Sequence, residues 1–356
     1  MLLSLSMIRI SKKKQHYGIS KYLRKYLFGY DRERKMPISY FDLVRYQHSV
    51  SLRDENDRDT LWETVYYSQD DMFSIYNGLK KTYSILKTDG DLSVMEDLYI
   101  DRIDLCVYGN SKPYRVRIVN KLNDNFDYFY IKRADASRVY GLELEHILSP
   151  NSISYIVDGD TLIEEHIIGI PGDMFMKTYL NSGTINKRRL AKEFVKFNER
   201  SFVRLLGDMH SSNFVVEVTP DFEEVHYRIR AIDFDQQSYD GRKFVYMPQY
   251  FDSNRPIVDI CSEVLSPESV RQYQKEERSM MATRLRAARY RIKELGDAVM
   301  KDNIAPPENV ELLKKELAKY YKDLDFLTCT NMGAIVKTSL KVLIKQAANS
   351  KMMKGF

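Results

Sequence analysis

The stretch "LLGDMHSSNF", Leu205 to Phe214, decides the reading of this 356-residue chain. An acid (Asp208), an imidazole (His210) and a carboxamide (Asn213) are set between a helical pattern and an apolar strand. Taken alone, the turn is equally well explained as a helix-end cap, because Asp and Asn side chains satisfy orphan backbone groups. The flanking residues decide between a capped turn and a reactive loop.

Upstream, "NKRRLAKEFVKFNERSFVRLL" carries Leu190, Phe194, Phe197, Val203 and Leu206 at helical intervals. Downstream, "FVVEV" and "YRIRAIDFD" read as two strands around the turn "TPDFEEV", so a hairpin ends on Asp233 and Asp235. Earlier, "RIDLCVYG" (102–109), "YRVRIVNK" (114–121) and "DYFYIKR" (127–133) alternate in part and are rich in Val, Ile and Tyr. With "GNSKP" and "LNDNF" as turns, they predict an antiparallel meander of three strands. Lys132 is on the third, and Arg133 is on the opposite face if the strand is regular. "SRVYGLELEHILSP" follows as a short helix ended by Pro150. "SISYIVDGDTLIEEHIIGIPGD" reads as two more strands around Asp158–Gly159–Asp160.

The first ~95 residues are expected to be polar and mainly helical. Ile19, Tyr22, Leu23, Tyr26 and Leu27 form one helical stripe. Met72, Ile75, Leu79, Tyr83 and Leu86 form a second, broken by the Asp-Gly turn chemistry of "LKTDGDLS". From about Met174 helices dominate, and "NIAPPEN" (303–309) splits the two long helical patterns that close the chain. There is no internal repeat and no low-complexity tract.

Hydrophobic residues make up 44% of the chain and aromatics 12%, enough for a sizeable core. The net charge of +5 is uneven. Residues 1–36 hold ten Lys/Arg against Asp31 and Glu33, which gives that segment +8 and leaves −3 for the rest. A basic segment 9–35 suits a protein or nucleic-acid partner, or is simply a solvated helix face. Cys106, Cys261 and Cys329 lie far apart with no CxxC spacing, so neither a zinc knuckle nor a disulfide framework is indicated. No apolar run reaches ~18 residues and "MLLSLSM" is too short for a signal segment, so a cytoplasmic protein without a membrane span is expected.

In this order the pieces resemble the protein-kinase-like fold, and most closely its aminoglycoside/choline phosphotransferase branch. The carrying residues are "GDMHSSN" (207–213) and "IDFD" (232–235), which resemble that branch's G-D-x-H-x-x-N loop and its I-D-[FW]-[DE] metal motif. The resemblance spans about residues 100–265, plus helices beyond. It implies an α+β, two-lobed protein-kinase-like fold, with an antiparallel β-sheet N-lobe and a mainly helical C-lobe. A helical N-terminal extension precedes it. The expected domains are a basic extension (1–95), a nucleotide-binding N-lobe (96–170) and a C-lobe with the catalytic and metal loops (171–356).

The chemistry asks for these residue types independently. Phosphoryl transfer from ATP needs a highly charged transition state held in line and neutralised. Asp208 is placed to orient the acceptor hydroxyl and take its proton. Asn213 and Asp233, with Asp235 as a further carboxylate, supply the hard oxygens that Mg2+ prefers. Lys132 is placed to hold the α/β-phosphates, braced by a helix carboxylate. Glu143 and Glu145 flank the apolar face of their helix and helical geometry does not choose between them; the resemblance favours Glu143. It also implies that the backbone around Glu165 to Ile167 reads the adenine edge.

His210 is read as an orienting residue and as the mark of the small-molecule branch. Arg242 and Lys243 are candidate contacts to an anionic substrate. The departures are the absence of G-x-G-x-x-G between the first two meander strands, where only Gly109 stands, and Leu206 where the branch often has His. The expected function is an ATP- and Mg2+-dependent kinase acting on a hydroxyl of a small molecule. The alternatives are an atypical protein kinase, or a non-catalytic binding module with a basic arm.

Overall fold

The computed structural model describes residues 14–88, 90, 95–109, 111–180, 185–221 and 225–352. Arg9, Lys12 and Lys13 of the basic segment lie outside the described residues, as do Asp89, Asn110 and 222–224 of the expected turns.

The first half of the chain builds a seven-stranded antiparallel sheet. In chain order the elements are α1 (Lys21–Gly29), α2 (Tyr40–Leu43), β1 (His48–Arg53), β2 (Asp59–Tyr66), α3 (Gln69–Thr88), β3 (Leu98–Leu105), β4 (Tyr114–Asn120), β5 (Phe126–Arg133), α4 (Ala136–Leu148), β6 (Tyr155–Asp158) and β7 (Thr161–Glu165). The sheet order is β1-β2-β3-β4-β5-β7-β6. The second half follows with β8 (Ile170–Pro171), α5 (Gly172–Thr178), α6 (Lys187–Arg204), β9 (Phe214–Pro220), β10 (Val225–Ala231), α7 (Arg255–Val264), α8 (Pro267–Ala287), α9 (Arg289–Val299), α10 (Pro307–Tyr321) and α11 (Met332–Met352). The α+β class, the meander β3–β5 and the hairpin β9–β10 are as expected.

The chain forms two compact units. A sheet unit comprises Gly18–Ala136 and Ile153–His166, and a helical unit comprises Ser137–Ser152 and the chain from Ile167, joined by residues 14–17. These boundaries fall elsewhere than at 95 and 170. The extension, expected to be mainly helical, also supplies two strands: β1 and β2 belong to the same sheet, with Glu63 of β2 paired to Leu105 of β3. Their sequences, "HSVSLR" and "DTLWETVY", alternate too weakly between buried and exposed positions to show a strand period.

In the sheet unit, period-2 alternation sorts the strands into two faces. On β4, Tyr114, Val116 and Ile118 are buried among Phe129 and Ile131 of β5 and Ile75, Leu79 and Leu86 of α3. The opposite face carries charge: Arg115 pairs with Asp104 at 2.8 Å and its guanidinium stacks on Trp62. Several cations of the basic segment are already paired within the unit. Arg24 holds Glu33, Arg34 holds Asp31, and Arg32 stacks on Tyr155.

In the helical unit, α6 is the central element. Asn186 caps it by accepting the Arg189 N–H. Leu190, Phe194 and Phe197 are buried on one stripe, and α6 packs on α7, α8 and β10. At its C-terminal end Leu205 takes the left-handed conformation, φ +58°. That reversal sends the chain into the loop of interest. Among the described residues no helix is long and apolar enough to cross a membrane.

Candidate functional site

The loop after α6 is tied to the segment after β10 at both ends. The Ser238 N–H donates to Leu205 O (2.8 Å), the Gly207 N–H to Gln236 O (3.2 Å), and the Ile232 N–H to Asn213 O (3.0 Å). Leu206 and Gln237 form a bridge. This lacing brings Asp208, Asn213, Asp233 and Asp235 together at the base of the β9–β10 hairpin. Leu206, where the match to the branch is thinnest, is fully buried and serves this packing.

Asp208 has φ +63°, a left-handed conformation that a non-glycine residue rarely adopts. The surrounding bonds hold it there. Its N–H donates to Val245 O. Its carbonyl accepts the His210 N–H at 2.9 Å and the Asn213 Nδ2 at 2.8 Å. Because the amide nitrogen is used in this way, the orientation of Asn213 is fixed and its Oδ1 is the atom turned to other partners. Burial pushes the Asp208 carboxyl up to about 7, reinforced by the negative charges of Asp233, Asp240 and Asp235. A carboxylate poised near neutrality suits a general base.

His210 plays a supporting part. Its Nδ1 accepts the Ser212 N–H at 3.3 Å, which caps the short 3-10 turn Ser211–Asn213. Burial lowers its pKa, against the opposing charges of Asp233 and Asp173. Through this backbone hydrogen bond the ring braces the turn that carries Asn213.

The sequence reading missed Arg138. This residue of α4 is almost wholly buried, and its Nη1 donates to Asp233 Oδ1 (2.8 Å) and to Asp235 Oδ1 (2.9 Å). Its Nη2 reaches Ile232 O, and Asp233 Oδ1 also accepts the Asp235 N–H. One guanidinium therefore bridges the two carboxylates of the "IDFD" motif. The signal was present in the sequence: Arg138 shares a helical stripe with Leu142 and Glu145, and a charge on the buried stripe of a helix needs a buried partner.

The donors fit a magnesium ion in kind, since an amide oxygen and carboxylates are hard ligands. Asn213 and Asp233 are the pair suited to it. Arg138 holds both carboxylates, and Asp235, the more deeply buried of the two, is the weaker candidate. Among the described residues there is no cluster of three or more His, Cys, Asp or Glu side chains arranged for a metal. A protein-only cage is therefore absent there, and such an ion would draw its remaining ligands from phosphate and water.

In the sheet unit, Lys132 lies on the charged face of β5 and is buried, while Arg133 is exposed on the other face, as expected. Its Nζ donates to Glu164 Oε2 at 2.8 Å. Glu164 lies on the adjacent strand β7, opposite Tyr130. The expected brace was Glu143 or Glu145. Glu143 instead receives a two-pronged pair from Arg291 of α9 (Nε 3.1 Å, Nη2 2.8 Å), and Glu145 pairs with Arg204 of α6. Both glutamates are buried in the helical unit, where they cross-link α4 to its neighbours. Glu164 could be found from the "LIEEH" alternation, which puts it on the same sheet face as Lys132 once the Asp158–Gly159–Asp160 turn fixes the register.

Glu165 ends β7. Its N–H is already bonded to Ser154 O at 3.0 Å, and its Oε1 accepts the Ser154 N–H. That backbone donor is thus taken by the sheet. Ile167 is a buried residue at the start of the helical unit. Arg242 is paired with Asp240 in its own turn (2.8 Å). Lys243 stands over the Tyr320 ring.

No protein-family model matches the chain, and no curated protein matches it. Among solved structures the chain is similar to titin kinase with its flanking domains: 14% identity, TM-score 0.29, covering 67% of this chain and 53% of that one. This chain thus spans about half the length of that relative. It is also similar to the autoinhibited serine kinase domain of titin, at 11% identity and TM-score 0.27, covering 68% of this chain and 92% of that one. A third is the Neurospora crassa complex of PAN2 with the PAN3 pseudokinase, at 10% identity and TM-score 0.22, covering 81% of this chain and 72% of that one.

Proposed function

We propose that this chain is a phosphotransferase of protein-kinase-like fold that moves the γ-phosphoryl group of ATP to a hydroxyl of a small molecule. The observation that carries the reading is the lacing of Leu205–Asn213 to Ile232–Ser238, which sets Asp208 and Asn213 beside Asp233. Asp208 orients the acceptor hydroxyl and takes its proton. The acceptor oxygen bonds to the γ-phosphorus, the bond to the β–γ bridging oxygen breaks, and ADP leaves. Asn213 and Asp233 would hold Mg2+, which when bound spreads the phosphate charge. Lys132, paired with Glu164 at 2.8 Å, is the proposed phosphate contact of the sheet unit. The small-molecule acceptor rests on the resemblance of "GDMHSSN" to that branch.

A second reading is favoured by one observation, the Arg138 bridge. A fold whose metal carboxylates are already neutralised suits a non-catalytic binding module. The test is transfer of γ-labelled phosphate by the full chain to a panel of hydroxylated metabolites and aminoglycoside-like amines. Transfer that falls at least ~100-fold in Asp208→Asn, with ATP binding kept, is the expected result. Label appearing on protein instead would favour the atypical protein kinase. No transfer, with ATP still bound, would leave the binding module.

A further inference from the structure

We propose that the helical unit holds a separate ligand site, an apolar cavity with a cationic mouth that takes a medium-chain acyl carboxylate. It does not depend on the phosphotransfer reading. The cavity, about 210 Å³, lies where α4, α8, α9 and α11 meet. Leu144, Leu285, Leu295, Val299, Val336 and Leu340 form its walls. The polar wall residues are already engaged: the Tyr140 hydroxyl donates to Asp302 at 2.6 Å, and Ser238 Oγ accepts Gln237 Nε2 at 2.7 Å. Nothing in the interior therefore rewards a polar guest, and water gains too few partners to fill the space.

The charged residues that line the cavity are all lysines: Lys293 on α9, and Lys337 and Lys341 one turn apart on α11. All three are exposed. None has an acid within ion-pair distance among the described residues, although Lys345, one turn beyond Lys341, does. Lysines on surface helices usually lean on a carboxylate or on solvent, and three around one apolar opening form a field for a negative headgroup. Apolar depth with cationic edges selects an anionic amphiphile. At about 30 Å³ for each water-sized group, the volume takes roughly seven methylenes. That length points to an acyl chain of about eight to ten carbons with its carboxylate at the lysines.

Gly296 supplies the decisive control. It lines the cavity from within α9, and a Cβ added there meets nothing within 4 Å. Gly296→Leu therefore places its Cβ without a clash, extends a side chain from the cavity wall and also improves helix propensity. The experiment is calorimetric titration of the full chain with decanoate, with decanol and decylammonium as controls.

The expected result is saturable one-to-one binding of decanoate that weakens with salt, with decylammonium not bound. Combined Lys293→Glu, Lys337→Glu and Lys341→Glu should weaken decanoate at least ~10-fold. Gly296→Leu should abolish binding and melt no lower than the parent chain. Several results would overturn the proposal: no binding, binding unchanged in Gly296→Leu, equal binding of decylammonium, or uptake of many molecules per chain. Binding seen only after removal of residues 1–10 would also overturn it, because the cavity would then belong to the chain's own apolar "MLLSLSMIRI".

Discussion

Replacing Asp208 by Asn should stabilise the protein, by an amount set by pH. In the fold the Asp208 carboxyl is pushed up to about 7 from its ordinary 3.8, first by burial and then by Asp233, Asp240 and Asp235. A raised carboxyl pKa means that the folded state disfavours the charged form. Below pH 3.8 the group is protonated in both states and contributes nothing. Between 3.8 and 7 the unfolded chain releases the proton while the fold retains it, so stability falls as pH rises. Above 7 the penalty is complete and constant. Three units at about 1.4 kcal/mol each set a ceiling near ~4 kcal/mol.

Only a fifth of the side chain is exposed, so solvent relieves part of the penalty, leaving about 2–4 kcal/mol. Asn has nearly the same shape and no charge to desolvate. Urea unfolding of both proteins in chelator, at pH 4.5 and pH 8, reads the difference. The gain from Asp208→Asn should grow by at least about 2 kcal/mol between the two pH values. A gain that is flat with pH, or a loss at pH 8, would refute the placement of Asp208 in a dry, negatively charged pocket.

Arg138→Leu leaves Asp233 and Asp235 facing each other without their cation and should cost about 3–5 kcal/mol; millimolar Mg2+ should recover much of it, seen as a rise in Tm larger than that of the parent chain. Lys132→Met removes the buried ammonium that donates to Glu164 and should destabilise by a similar ~3–5 kcal/mol, while Lys132→Met combined with Glu164→Leu should be markedly milder in a double-mutant cycle of urea unfolding. Gly172→Ala drives a methyl against the Phe214 ring and to within 2.6 Å of Ser211 O; it should lower stability by about 1–3 kcal/mol and, by displacing the loop at Ser211, reduce phosphate transfer more than it reduces ATP binding.

The sequence made some parts of this molecule readable for physical reasons. The meander β3–β5 showed because its strands bury one face and charge the other, which prints a period of two. The hairpin β9–β10 and the loop before it showed because Asp208, Asn213 and Asp233 recur at fixed offsets from elements with clear periods. The strands β1 and β2 did not show, since neither face of that hairpin is deeply buried and the alternation is faint.

The partners of buried charges were the least legible. Glu143 and Arg291 lie 148 residues apart, and Arg138 and Asp233 lie 95 apart. Helical geometry left Glu143 and Glu145 undecided as the brace for Lys132, and nothing local could reveal that Arg291 and Arg204 take them. Such pairings are decided by tertiary packing, which the local pattern does not encode.

The most direct test is equilibrium binding of a non-hydrolysable ATP analogue to the full chain, by calorimetry, with and without Mg2+. Binding should require Mg2+, persist in Asp208→Asn and disappear in Asp233→Ala. Absence of binding, or binding indifferent to both Mg2+ and Asp233, would contradict a phosphate-transfer site at the base of the β9–β10 hairpin.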